Sequence, residues 1–208
     1  MIAATLALAF LLGSIPFSWI LVWALRGLDL RSVGSGNPGA TNAIRVVGPF
    51  WGGVAMALDV LKGVAAAAGV PILAGEAARE WLPALCGLAA ILGNVFCPFL
   101  KFKGGKAVST AGGVFLGLAP RFTLIVAVVF FALFKATGKA SIGSLACAAL
   151  LPALLTLGWM FDWGDRPTLH EVALVWAAAT LVVARHKDNI RRLLSGEESA
   201  ALSKGAER

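Results

Sequence analysis

Charge is scarce in this sequence. Of its 208 residues, 14% are charged and 59% are hydrophobic, whereas a soluble chain of this size carries about 25% charged residues. The apolar residues gather into long uncharged blocks, which excludes an ordinary soluble domain and indicates membrane spans. Cysteine is almost missing. Cys86, Cys97 and Cys147 are irregularly spaced and all lie in apolar segments, so they give no disulfide framework and no Cys-based metal site, and read as small buried hydrophobes. The two histidines, His170 and His186, are far apart and form no H-x-x-x-H pattern, so no protein-held metal is expected. A G-x-x-x-x-G-K-[ST] loop is absent and no strand precedes either glycine-rich stretch, which excludes P-loop and dinucleotide sites. The first apolar run lacks a basic n-region and an A-x-A site and is read as a span rather than a cleaved signal peptide.

The apolar blocks predict an all-α, polytopic membrane protein with seven transmembrane helices, at 2–25, 50–74, 81–100, 107–120, 121–137, 140–161 and 169–185. Residues 1–195 form one membrane domain and 196–208 a short polar tail. With seven spans, one side of the membrane holds 14 Lys and Arg residues, among them Arg26, Arg31, Lys101, Lys135, Arg185, Arg191, Lys204 and Arg208. The other holds Arg79, Arg121 and Arg166, with Glu76, Glu80, Asp162, Asp165 and Glu171. The asymmetry predicts an external N-terminus and a cytoplasmic C-terminus.

What polar sequence there is clusters on the cytoplasmic side. Ser32–Arg45 reads SVGSGNPGATNAIR, with three glycines, two asparagines, two serines and a threonine. KFKGGK follows at Lys101–Lys106, TGKASIGS at Thr137–Ser144 and ARHKDNIRR at Ala184–Arg192. Glycine lets successive backbone amides form an anion nest. Ser35, Asn37, Thr41 and Asn42 add neutral donors, and Arg45 adds a bidentate cation. Lys103 and Lys106 flank Gly104 and Gly105 as a second cationic nest. Two nests predict two phosphate groups, although either stretch alone also fits a plain connector or ordinary positive-inside charge. Asp59 and Lys62, spaced i, i+3 within a span, are read either as a buried ion pair or as a substrate contact. His186 and Asn189 share the same spacing where the last span meets water, with His186 a base or an interfacial cation.

The motifs resemble those of the bacterial acyl-phosphate:glycerol-3-phosphate acyltransferase family. They stand as Val33–Arg45, as Leu58, Asp59, Lys62 and Gly63, as Phe102–Lys106, as the paired serines Ser141 and Ser144, and as His186, Asn189, Ile190, Arg192 and Leu193, in that order, with Gly13–Pro16 near the start. Three positions, Asn94, Cys97 and Ala107, depart. Gly93-Asn94-Val95-Phe96-Cys97 replaces a G-H-x-x-P, and Ala107 replaces a glycine. The H-x-x-x-x-D motif of acyl-CoA-dependent acyltransferases is absent, since Arg191 follows His186 and Val175 follows His170 at that spacing.

The resemblance implies transfer of an acyl group from a long-chain acyl phosphate to glycerol 3-phosphate, giving 1-acylglycerol 3-phosphate (lysophosphatidic acid) and phosphate, with no cofactor and no nucleic acid. Ser35, Arg45, His186 and Asn189 are expected to be catalytic. Gly36, Asn37, Thr41, Asn42, Lys62, Lys103, Gly104, Gly105, Lys106 and Ser141 are expected to bind substrate, with Asp59 in a structural ion pair. Membrane lipid surrounds the protein, and the supplier of acyl phosphate and the next acyltransferase are its expected functional partners. The alternatives are a small anion or phosphate transporter, a scaffold for anionic lipid, and an acyl-CoA-dependent enzyme. A transporter predicts internal repeats, which are not evident, and motifs at mid-membrane rather than at one surface.

Overall fold

The computed structural model describes residues 1–73, 75, 80–163, 166–198 and 200–201. Of the residues invoked for topology, Glu76, Arg79, Asp165, Lys204 and Arg208 lie outside the described residues. Among the described residues the chain is helical, without strands. Five stretches, Ile2–Arg26, Ala40–Leu73, Trp81–Leu100, Pro120–Thr137 and Ala140–Phe161, are long and apolar enough to cross a membrane.

Three of the expected spans are broken or shortened, and each irregularity shapes the site. The first divides into α1 (Ile2–Ser14) and α2 (Phe17–Arg26) at Ile15-Pro16, where proline cannot continue the amide ladder. The second begins ten residues earlier than expected. α3 (Ala40–Val64) takes in the last six residues of the glycine-rich stretch and is interrupted at Gly48, at φ 84° and ψ 170°, just before Pro49. A side chain is strained at that φ, and Pro49 has no amide to donate. The segment Ala40–Val47 therefore turns back on the rest of α3. Gly52 gives it room, since a Cβ there would stand 2.6 Å from the Ile44 backbone. A π-helical turn, Ala65–Gly69, leads to α4 (Val70–Leu73).

α5 (Trp81–Val95) is followed by the KFKGGK loop and by α6 (Val108–Leu118). At 11 residues α6 rises roughly 16 Å, about half the hydrocarbon thickness. α7 (Pro120–Thr137), α8 (Ala140–Phe161), α9 (Leu169–Arg185) and the short amphipathic α10 (Lys187–Leu194) complete the chain. α9 starts with a capping box between Thr168 and Glu171.

Apolar surface in lipid gives helices no hydrophobic reason to associate, so contact relies on small residues and buried polar pairs. α3 and α6 meet at Gly63 and Gly113, where a Cβ on Gly63 would stand 2.8 Å from the Val114 amide. Asp59 and Lys62 secure the break between α1 and α2. Lys62 Nζ pairs with Asp59 at 2.7 Å and donates to the Ile15 carbonyl at 2.6 Å. Ser18 donates to the other Asp59 oxygen at 3.0 Å. Around α6 the core is built from Ile91, Val114, Phe115, Leu155 and Val175.

Candidate active site

The broken helices leave a polar cavity of about 120 Å³. Three helices begin at its wall. α3 contributes Ala40 and Thr41 with Gly39 just before them, α6 contributes Val108 and Ser109 with Ala107 just before them, and α8 contributes Ala140 and Ser141. None carries an acidic residue in its first turn. The first amides of a helix have no carbonyl within it to bond and carry the positive end of the dipole, so three such ends favour an anion. Arg45 and Lys106 add full positive charge.

Of the residues singled out by sequence, Ser35, Asn37, Thr41, Asn42, Arg45, Gly104, Gly105, Lys106, Ser141, His186 and Asn189 all line this one cavity. Regions as far apart in sequence as Ser35 and Asn189 are thereby brought together. Four expectations change at atomic detail. The first concerns the two glycine nests, four of whose amides are already bonded within the protein. Ser35 N–H donates to Asn42 Oδ1 at 2.9 Å and Gly36 N–H to the Val33 carbonyl at 3.1 Å. Gly104 and Gly105 donate to the Val95 and Asn94 carbonyls, both at 3.1 Å. The end of α5 leaves carbonyls unsatisfied, and these take the loop amides. The starts of α3, α6 and α8 line the same cavity and bring the first amides of three helices to it.

The second is Asn42, which acts as a staple rather than a free donor. Its Nδ2 donates to the Leu30 carbonyl at 3.0 Å and to the Val33 carbonyl at 2.9 Å. It thus sets the curve of the loop that presents Ser35 and Asn37, where Gly34 and Gly36 adopt positive φ. The third is Lys62, 3% exposed and bound to Asp59 and Ile15 as described, away from the cavity lining. The fourth is Lys103, an exposed residue off the cavity wall. Gly36 likewise shapes the loop without lining the cavity.

His186 closes one wall and is 2% exposed. Its Nδ1 lies 2.7 Å from the Val182 carbonyl. A carbonyl only accepts, so Nδ1 carries the proton and Nε2 keeps its lone pair. Burial, with the nearby Lys106 charge, brings the imidazole down to about 4, so it is neutral at ordinary pH. Lys106 donates to Asn189 Oδ1. Burial brings its ammonium down to about 8, with Arg192, Arg45 and Arg185 acting in the same direction and Glu198 opposing.

Sequence reasoning missed Glu198, assigned to the polar tail. The tail folds back and the carboxylate enters the cavity wall at 7% exposed. It accepts hydrogen bonds from Ser141 at 2.9 Å, Asn189 at 2.6 Å and Arg192 at 2.7 Å. Burial pushes the carboxyl upward, but these bonds outweigh it and hold it below the ordinary range. A glutamate beside a basic helix end gives no periodicity to read. Ser109 and Thr110, also on the wall, were likewise missed.

The cavity opens into an apolar groove of about 460 Å³ between α3, α6, α7, α8 and α9. Six residues, Met56, Val108, Ser109, Phe130, Phe131 and Ser144, line both spaces. Leu61 on the groove is 60% exposed and Phe131 is 52% exposed, so one side faces out of the bundle. No group of His, Cys, Asp and Glu suited to a metal ion occurs among the described residues.

A family model described as "Glycerol-3-phosphate acyltransferase" matches residues 3–196. A glycerol-3-phosphate acyltransferase of Syntrophomonas wolfei is 39% identical, the match covering 97% of this chain and 98% of that one. One from Sinorhizobium medicae is 41% identical, covering 97% and 93%. Among solved structures, PlsY (YgiH), an integral membrane glycerol 3-phosphate acyltransferase in its glycerol 3-phosphate form, superposes with a TM-score of 0.84 at 34% identity, covering 96% of this chain and 94% of that one. Its lysophosphatidic acid form gives 0.82 at 32% identity with the same coverage. With matches spanning nearly the whole chain, this protein belongs to the glycerol-3-phosphate acyltransferase family.

Proposed function

We propose that the polar cavity holds glycerol 3-phosphate against the phosphate end of a long-chain acyl phosphate, whose tail occupies the apolar groove. The observation that carries this reading is the junction itself. A cationic cavity and an apolar groove share six residues, which suits a substrate pair with charged heads and one hydrocarbon chain. Acyl phosphate is a mixed anhydride and needs no enzyme nucleophile. The protein's task is to hold two anions together, offset their repulsion and exclude water.

In the proposed reaction a glycerol hydroxyl oxygen attacks the acyl carbonyl carbon. The bond from that carbon to the phosphate oxygen breaks, and phosphate leaves with the electron pair. The hydroxyl proton passes to His186 Nε2 or to a phosphate oxygen of the substrate, the two bases within the proposed arrangement. Arg45 and Lys106 neutralise phosphate charge, and the amides at the starts of α3 and α6 stabilise the developing oxyanion. Asn189, Ser141, Ser35, Asn37 and Thr41 orient the head groups. The products are 1-acylglycerol 3-phosphate and inorganic phosphate.

The finer topology belongs to the same reading. The protein crosses the bacterial inner membrane seven times, with its N-terminus outside and its catalytic cavity opening to the cytoplasm. The Lys and Arg asymmetry supports this arrangement. A short α6 and the inward segment Ala40–Val47 would then set the cavity below the membrane surface. Its functional partners are the enzyme supplying acyl phosphate and the acyltransferase that consumes the product.

The test uses purified protein in lipid with glycerol 3-phosphate and either palmitoyl phosphate or palmitoyl-CoA, following phosphate release and lysophosphatidic acid together. Product from the acyl phosphate alone is expected, and folded Arg45→Ala protein should lose it almost completely. Turnover of the CoA ester at a comparable rate, or wild-type turnover and affinity in Arg45→Ala, would overturn the reading.

A further inference from the structure

Glu198 is the one acidic side chain on the cavity wall besides Asp59 among the described residues, and Asp59 is already paired with Lys62. Its place is fixed by the backbone on both sides. The amides of Glu197 and Glu198 both donate to the Arg192 carbonyl, at 2.8 and 3.1 Å, turning the chain back at the end of α10. The Ala201 amide then donates to the Gly138 carbonyl at 2.8 Å, pinning the returning tail to the turn between α7 and α8. The carboxylate is left bridging Ser141 of α8 with Asn189 and Arg192 of α10.

The bridge orients an amide. Asn189 has one donor end and one acceptor end. A carboxylate only accepts, so Glu198 requires Nδ2 to face it. Oδ1 then faces Lys106, whose ammonium donates to it. If the amide turned over, a donor would face the Lys106 ammonium and an acceptor would face the carboxylate. One acid in the tail therefore determines where the ammonium of the KFKGGK loop rests. The same acid is the negative charge opposing the repulsion on Lys106 from Arg45 on α3, Arg185 on α9 and Arg192 on α10, with neutral His186 beside them.

We propose that Glu198 is a positioning residue of the reaction, acting through Asn189 to hold the Lys106 ammonium at the headgroup cavity, so that the returning tail is part of the catalytic unit. This rests on the proposed function for its kinetic consequences, but not for its structural claim. A carboxylate that merely filled the anion site would have the opposite effect, since its removal would free donors for substrate.

The test uses the full-length chain in lipid with Glu198→Gln. With palmitoyl phosphate, kcat/KM for glycerol 3-phosphate should fall at least tenfold while the melting temperature stays close to that of wild type. The double variant Glu198→Gln/Asn189→Ala should be no slower than Asn189→Ala alone, because both residues act through one path. A second readout needs no turnover. The pH dependence of Lys106 acetylation by acetic anhydride, followed by peptide mass spectrometry, should shift to lower pH in Glu198→Gln. If that variant is poorly folded, Glu198→Asp carries the test. Its charge is kept but retracted by one methylene, so the rate should fall with a smaller shift in the acetylation profile. Unchanged or increased kcat/KM together with an unmoved acetylation profile overturns the proposal. An inactive wild type would overturn the proposed function instead, and the acetylation profile would still decide the role of Glu198.

Discussion

Gly104 and Gly105 stand side by side in KFKGGK, yet only one is closely hemmed in. A Cβ on Gly104 would collide with the Asn94 carbonyl oxygen and stand 2.7 Å from that of Val95. Both are backbone atoms at the end of α5, so no side chain can swing clear. A Cβ on Gly105 would meet the Asn94 side-chain oxygen at 3.2 Å, which a small rotation relieves. Neither glycine has positive φ, so the difference is one of room alone. Gly104→Ala must push the loop off α5, weakening the Gly104 N–H to Val95 bond at 3.1 Å and the Arg185 bond to the Gly104 carbonyl at 3.0 Å. Overpacking of this kind costs about 1–3 kcal/mol, a melting shift of roughly 2–12 °C in a chain of this size. Lys106 lies two residues on, and a displacement of about 1 Å in a positioned group costs on the order of 100-fold in rate. The assay compares phosphate release and thermal melting for both alanine variants. Gly104→Ala should lose about two orders of magnitude, and Gly105→Ala no more than a few-fold. Equal effects at the two positions would refute the reasoning.

Other predictions follow from the same geometry. Lys106 is protonated below about pH 8 and loses its charge above it. The kcat/KM profile should therefore decline on the alkaline side of that value, and Lys106→Arg should move the decline upward. His186 stays neutral down to about pH 4, so its own protonation adds no acid limb near 6.5. Ala107 sits at φ 58°, a left-handed conformation that costs a side-chain-bearing residue roughly 1–2 kcal/mol. Ala107→Gly should raise stability by about 1 kcal/mol after the flexibility of glycine in the unfolded chain is subtracted, measured as a melting shift of a few degrees. Lys62→Met strands Asp59 as a buried, uncompensated charge and should cost about 3–5 kcal/mol. Asp59→Asn/Lys62→Met should recover much of that loss, as thermal melting of the pair would reveal.

The sequence made the all-helical membrane architecture legible, though not the number of crossings, because long apolar runs require little tertiary information, while α6 and α9 fall short of the five stretches long enough to span. It also announced the cavity's side chains, since Arg45, Lys106, His186 and Asn189 are conspicuous against an apolar background. The breaks were harder. Ile15-Pro16 lies in a stretch whose hydropathy does not change, so composition alone counts straight through it, while Gly48-Pro49 reads as the edge of a span and not as a break inside a longer helix. The destinations of backbone amides were illegible as well. A glycine-rich loop looks the same whether its amides face a ligand or, as at Gly104 and Gly105, the spare carbonyls of a neighbouring helix. Lys62 illustrates a third limit. A charge within a span suggests a ligand, and only the exposed Ile15 carbonyl at the helix break explains what it binds. Glu198 required the return of the tail, a contact between α8 and the chain beyond α10 that no local pattern encodes.

The open side of the groove has a consequence for measurement. Leu61 and Phe131 face out of the bundle, so on the proposed function the acyl tail enters the groove sideways from the surrounding lipid rather than from water. The concentration that governs saturation is then the mole fraction of the chain-bearing substrate in the bilayer or micelle. Adding inert detergent at constant total substrate should slow the enzyme by surface dilution, while the dependence on glycerol 3-phosphate remains one of bulk molarity. On that reading a single centre samples two phases, each with its own measure of concentration.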